Sequence, residues 1–193
     1  MCTTGIAYRI TTLEDVIVAA KLVEFDISLL ISATARSISM GVLNNSITSG
    51  AGNIVGFIGE EVFRKIKGGS YSKEDGEHYD YDVVMPSGRT VDVKTKSCTS
   101  EPKGHYFATV ANYNTKQNCD LYAFVRVEVD SKTSIPTGRA WYMGGILKDD
   151  FYTQSRFYRK GEIDPSSDFG WKFKADCYNL EYDKLNRRYS NGS

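Results

Sequence analysis

The chain has 193 residues, 41% of them hydrophobic and 25% charged, an ordinary balance for one globular domain with a packed core. Lys plus Arg equals Asp plus Glu at 24 each, so any nucleic-acid surface must be a local patch rather than a global positive field. The scattered Cys2, Cys98, Cys119 and Cys177, with His78 and His105, have no zinc-site spacing. No apolar run approaches the ~20 residues that a membrane helix needs, and the start lacks a basic segment followed by an apolar one. The expectation is a cytoplasmic protein with reduced thiols.

In chain order, "TTLEDVIVAAKLVEF" has a helical apolar pattern behind Thr and acidic residues. "DISLLISATARSISMGVL" predicts a second helix starting at Asp26. "NNSITSGAGN", Asn44 to Asn53, is a polar, Gly-bearing loop. "IVGFIGEEVFRKIKGG" predicts a third helix, closed by Gly68 and Gly69. The period then changes to two. Tyr79 to Met85 and Thr90 to Lys96 alternate as strands, and "HYFATVA" predicts a third. "NYNTKQNCD" allows a short helix or a loop. "LYAFVRVEV" and "RAWYMGGIL" predict two strands paired across "DSKTSIPTG". A short helix near "KDDFYTQSRFY", a strand in "WKFKADCYNL" and a last helical turn complete the chain. The expected class is α/β, or α+β, with a central mixed sheet flanked by helices. A single domain is expected, with a helical lead-in over 1–53, a core over 54–147, and a C-terminal extension over 148–193 packing on it.

The chemistry concentrates in "YDYDVVMPSGRTVDVK". Pro86, Ser87 and Gly88 fit a hairpin turn. Centring the hairpin on Ser87 sets Asp82 opposite Asp92 and Asp80 opposite Lys94. Directly opposed Cβ atoms lie ~4.5–5.5 Å apart. Alternation gives Asp92, Lys94 and Lys96 one face, and sends Tyr81, Val83, Met85, Val91 and Val93 to the other. Facing carboxylates repel, so this register is a poor choice for solubility alone. A hard divalent cation would reverse the sign of the interaction. The bland alternative is an exposed edge hairpin. Glu60 and Glu61 on the preceding helix offer a third carboxylate. On the helical wheel Glu61 lies nearer the apolar stripe of Ile54, Phe57, Ile58 and Val62, and Glu60 further off.

Gly59-Glu60, Asp82 and Asp92-Val93-Lys94 resemble the signature of the PD-(D/E)XK nuclease superfamily: a helical Glu after Gly, an Asp at the end of a strand, and (D/E)-x-K on the next. Residues 54 to 129 follow its order of helix, three strands, helix, strand. "NNSITSGAGNIVGFIGEE" looks like the lead-in of phage-type members, which would place the protein in host cytoplasm. Tyr81 stands where the superfamily's name has Pro.

The resemblance implies a restriction-endonuclease-like core and a Mg²⁺-dependent DNA endonuclease, with Mn²⁺ able to substitute. It selects Glu60 over Glu61, against the wheel, and leaves Glu61 and Asp80 as second choices. Asp82, Asp92, Glu60 and the Val93 carbonyl would hold metal, and Lys94 would orient the attacking water. Hydrolysis would leave a 5′-phosphate. Lys96, Lys116 and Gln117, with Asn45 and Ser46 of the loop, are candidate nucleic-acid contacts. Asn45 and Ser46 serve equally as helix caps. Lys103, Arg126, Arg156, Arg159 and Lys160 are further candidate cations, and His105 is expected to be structural. The short chain favours a homodimer that cuts two strands by symmetry. The alternative function is a non-catalytic nucleic-acid-binding module that keeps the fold.

Overall fold

The computed structural model describes residues 20–40, 53–71, 80–167 and 169–185. Asn45, Ser46, Tyr79 and most of the first expected helix lie outside these residues.

The end of that first segment is not helical. Lys21–Glu24 is a strand, β1, paired antiparallel with a strand more than 100 residues later. Helix α1 spans Ile27–Met40. Asp26 caps it, its Oδ1 accepting from Ser28 N at 3.1 Å and Leu29 N at 3.2 Å. Helix α2 spans Asn53–Lys67. Its end is the expected glycine pair: Gly68 and Gly69 have φ of 74° and 103°, and Gly68 N donates to Arg64 O.

The remaining elements are β2 (Ser70–Tyr71), β3 (Val83–Val84), β4 (Thr90–Cys98), β5 (Phe107–Ala111), a 3₁₀ turn (Asn112–Lys116), β6 (Leu121–Val129), β7 (Pro136–Leu147), α3 (Lys148–Gln154), β8 (Arg156–Tyr158), β9 (Cys177–Glu181) and a final 3₁₀ turn (Tyr182–Lys184).

Six strands form a mixed sheet in the order β1-β7-β6-β4-β3-β2, in which β4 and β6 are parallel and the other neighbours antiparallel. The expected third strand, "HYFATVA", does not join it. That segment gives β5, which belongs to a separate antiparallel sheet, β5-β9-β8. The strand that completes the β2-β3-β4 meander is the two-residue β2, which comes before the hairpin.

The large sheet is covered on both faces, but only one of them by helices alone. On that side α1 and α2 bury Phe57, Ile58, Val62 and Phe63 against Val83, Val91, Val93 and Val125. On the other, the small sheet and α3 bury Ala108, Val110, Phe151 and Leu180 against Tyr122, Phe124, Trp141 and Met143. β6 is therefore buried almost throughout, which explains why both of its alternating faces are apolar in sequence. The architecture is mixed α/β, as expected. The expected flanking helices are α1 and α2 on one face and α3 on the other, where a second sheet joins it. Among the described residues no helix is long and apolar enough to cross a membrane.

Candidate active site

The hairpin forms with the expected centre. Val83 pairs with Val91 and Val84 with Thr90, and Gly88, with φ of 83°, donates its N–H to Met85 O. The ladder then stops one residue short of the expected carboxylate pair. Asp82 N donates to Val91 O at 2.9 Å, and Asp82 Oδ2 accepts from Val93 N at 2.7 Å. The side chain of Asp82 thus takes the place of the next backbone rung. The expected pairing of Asp80 with Lys94 is not made either. Asp80 Oδ1 accepts from Asn118 N at 3.2 Å, and Tyr81 packs into the core beneath the small sheet rather than beside Val83.

Asp92, Lys94 and Lys96 share the face of β4 that looks toward the small sheet, next to Tyr122, Phe124 and Arg126 of β6. Asp92 is 3% exposed. Its Oδ2 lies 2.5 Å from Lys94 Nζ, yet makes no well-directed hydrogen bond. Lys94 Nζ also donates to Gln117 Oε1 at 2.9 Å. Gln117 stands just after the first 3₁₀ turn, which crosses this face, so the turn delivers the residue that orients the lysine. Lys148 Nζ donates to Gln117 O and fixes that crossing.

Glu60 joins from the helix side. Gly59 makes this possible: a Cβ there would sit 1.9 Å from Thr95 Oγ1, so only glycine lets α2 lie this close to β4. Glu60 is 8% exposed and ion-pairs with Arg36 Nη2 of α1 at 2.8 Å. Glu61 turns away. It accepts from Ser32 Oγ at 3.1 Å and from Arg64 Nη1 at 3.3 Å, in the cleft between α1 and α2.

The three acids feel one another. Burial pushes Glu60 up to about 7 against the pull of Arg36, and the Asp92 charge adds to the rise. Asp82, half-buried as a residue but with its carboxyl enclosed, is raised well above the ordinary carboxylate range. Burial is the largest cause, followed by the charges of Glu60 and Asp92, while the Val93 N–H and Lys94 oppose the rise. The crowding of carboxylates thus has a local answer. Asp82 holds a backbone N–H, Asp92 a lysine, and Glu60 an arginine. Among the described residues no group of three or more His, Cys, Asp or Glu side chains stands ready-formed around a metal position. Asp92 Oδ2 and Glu60 Oε2 nevertheless meet Lys94 and Arg36 only as ion pairs, with no well-directed hydrogen bond. Hard carboxylate oxygens with spare lone pairs fit a small divalent cation, with Asp82 beside them. The Val93 carbonyl shares the strand edge of its N–H, past the end of the β3 ladder.

Of the other candidates, Lys96 Nζ donates to Thr109 Oγ1 at 2.5 Å, bridging the two sheets. Lys96 remains exposed as a residue, while the enclosure of its amine and the nearby Arg126 guanidinium lower its pKa. Lys116 is exposed, one residue from Gln117. Arg126 donates to Tyr182 Oη at 2.7 Å and to Ser97 O, a structural role. His105 is exposed and lies edge-on to Tyr106, so it is not a core histidine. Cys119 adjoins the site, but burial and then the Asp92 charge push its thiol up to about 12, which leaves it inert as a nucleophile.

Arg36 is the site residue that the sequence reading missed. It is the one charged residue among the fourteen of α1, and a lone charge on an otherwise uncharged helix that packs on the core needs a counter-ion. Its guanidinium lies 3.7 Å from the Tyr71 ring centroid and 4.5 Å from that of Phe57.

No family model matches the chain, and no curated protein matches its sequence.

Proposed function

We propose that the protein is a metal-dependent phosphodiester hydrolase acting on DNA, with a site made by Asp82, Asp92, Glu60 and Lys94. One observation carries this reading: Glu60 and Asp82 are enclosed, each raised further by the Asp92 charge, and Lys94 stands against Asp92, an arrangement whose electrostatic cost a purely structural role would not require. The order α2-β2-β3-β4, followed by β6 parallel to β4, also supports the PD-(D/E)XK resemblance, although a 3₁₀ turn and the stray strand β5 fill the place of its second helix.

Asp82, Asp92 and the Val93 carbonyl would hold Mg²⁺ or Mn²⁺, with Glu60 as a further ligand. When bound, the ion supplies a more acidic water and neutralises phosphodiester charge. Val93 N–H keeps the Asp82 carboxylate in place. Gln117 holds the Lys94 ammonium, which would orient the attacking water and stabilise the charge that develops on the phosphate. Arg36 draws Glu60 toward its ionised form. The product expected from in-line attack is a 5′-phosphate. Plasmid nicking in Mg²⁺ tests this reading: cutting that disappears in Lys94→Ala supports it, and equal cutting by both proteins sinks it.

A further inference from the structure

Lys96 and Arg126 stand side by side across the parallel pair β4–β6, on the face that also carries Asp92 and Lys94. Like charges in neighbouring positions repel. Neither cation makes an ion pair among the described residues. Both are held instead by neutral acceptors: Arg126 donates to Tyr182 Oη and Ser97 O, and Lys96 Nζ to Thr109 Oγ1. The nearby acids do not cancel the pair. Glu128, one step further along that face of β6, is matched by Arg139 Nη1 at 3.2 Å. Asp164 keeps its negative charge while it accepts from Ser166 N and Oγ. Two cations against that one carboxylate leave one positive charge in excess. Cys177, the other titratable group that faces the amine, is a thiol whose pKa burial raises.

The lysine is also held in one direction. Thr109 Oγ1 lies 2.5 Å from Lys96 Nζ and 2.5 Å from Asn179 Oδ1. Asn179 is 2% exposed, and its Nδ2 donates to Cys177 O at 3.4 Å and to Cys177 Sγ at 3.1 Å, which leaves Oδ1 to accept. The threonine hydroxyl therefore gives its one proton to Asn179 and offers the lysine a lone pair. An ammonium has three N–H donors, of which Thr109 takes one. Lys96 is exposed as a residue, so the other two can meet a ligand. Enclosure of the amine, and then the Arg126 charge, push its pKa down to about 7. An anion beside it would reverse both effects. Lys96 follows Lys94 by one period of the strand, about 6.6 Å, so an anion held there adjoins the one that reacts at the acidic site. In a nucleic-acid strand the neighbour of a reacting phosphate is another phosphate.

We propose that Lys96 holds the backbone phosphate next to the scissile one, and that Thr109 and Asn179 are its positioning residues. This deepens the phosphodiesterase reading and rests on it for the identity of the anion.

The test uses the full chain in EDTA, so that cutting does not enter, with a fluorescein-labelled DNA duplex of about 20 base pairs titrated over a range of salt concentrations. Lys96→Met keeps the apolar stem and removes the charge. It should weaken binding about tenfold or more and reduce the slope of log affinity against log salt by about one. Lys96→Arg should restore the slope. A lysine that only bridges the two sheets would move the melting temperature and leave the slope unchanged, and that result overturns the proposal, as does a parent protein that binds no DNA. Thr109→Val releases the amine but leaves its charge. It should weaken binding severalfold at an unchanged slope, and Thr109→Ser should restore the affinity. Parent affinity in Thr109→Val overturns the positioning role. Asn179→Leu should act as Thr109→Val does; where it fails to fold, the two threonine variants decide. Nicking in Mg²⁺ is scored separately. Lys96-dependent binding by a protein that never cuts would remove the hydrolase reading and leave the phosphate contact; cutting by a Lys96→Met protein that keeps the parent's affinity and slope would do the reverse.

Discussion

Gly59 and Thr95 are packed so closely that a single added methyl group would stand 1.9 Å from the threonine hydroxyl oxygen. This contact sets the depth at which α2 meets β4, and with it the position of Glu60 relative to Asp92. Gly59→Ala should cost about 1–3 kcal/mol, as overpacking does, and should lower nicking by more than the loss of folded protein explains. Thr95→Ala in the same chain should restore part of both, read by thermal melts and by rates per folded molecule.

Lys94 and Gln117 form a donor and its holder. Lys94→Ala should reduce nicking by about 10²–10³-fold, the scale for removing a group that meets developing charge. Gln117→Ala should reduce it by less, acting on the turnover rate rather than on substrate affinity. A Gln117→Ala protein with full turnover would mean that the lysine needs no holder.

The neighbouring glutamates should separate cleanly. Glu60→Gln removes a carboxylate from the acidic group and should weaken Mg²⁺ or Mn²⁺ binding by about tenfold or more in calorimetry. Glu61→Gln changes only the contacts to Ser32 and Arg64 and should leave metal binding unchanged. A reversal of these two outcomes would return the choice to the helical wheel.

Burial lifts Glu60 from its ordinary 4.5 to about 7, so between these values the folded chain keeps a proton that the unfolded chain releases. Stability in EDTA should therefore be greatest below pH 4.5 with respect to this group, and should fall as pH rises through 7, by at most about 3 kcal/mol. Glu60→Gln should flatten the decline. Arg36→Ala removes the charge that holds the pKa down, so the window should extend above 7. Metal affinity should run the other way and rise with pH, because the ligands must lose protons. Urea titrations across pH read the first effect and calorimetry the second.

The local parts of the fold were legible. Asp26, the Gly68–Gly69 stop and the Pro86–Gly88 turn announce themselves by residue type, and the hairpin register follows from its turn. The acidic hairpin and Lys94 came from spacing and resemblance; Gln117 was expected only as a nucleic-acid contact, and its bond to Lys94 was not foreseen. What escaped depends on partners distant in sequence. "KLVE" continues a helical apolar pattern, and only its pairing with Tyr142 to Arg139 makes it a strand. β2 is two residues long, too short to carry a period. β5 alternates like any strand, and nothing within it says which sheet it joins. The rung-like placement of Asp82 depends on where a ladder stops. Arg36 did carry a signal, its solitude on α1, but its partner lay across the loop between the helices.

That short first strand has a practical corollary. With Lys21–Glu24 zipped along Tyr142 to Arg139, the outer border of the large sheet is sealed by the very part of the chain that looks dispensable. A fragment trimmed to begin at the motif-bearing helix would bare unmet amide and carbonyl groups along β7, an adhesive rim inviting self-association, and would discard Arg36 as well. A shortened chain has to begin upstream of Lys21 to keep this edge paired.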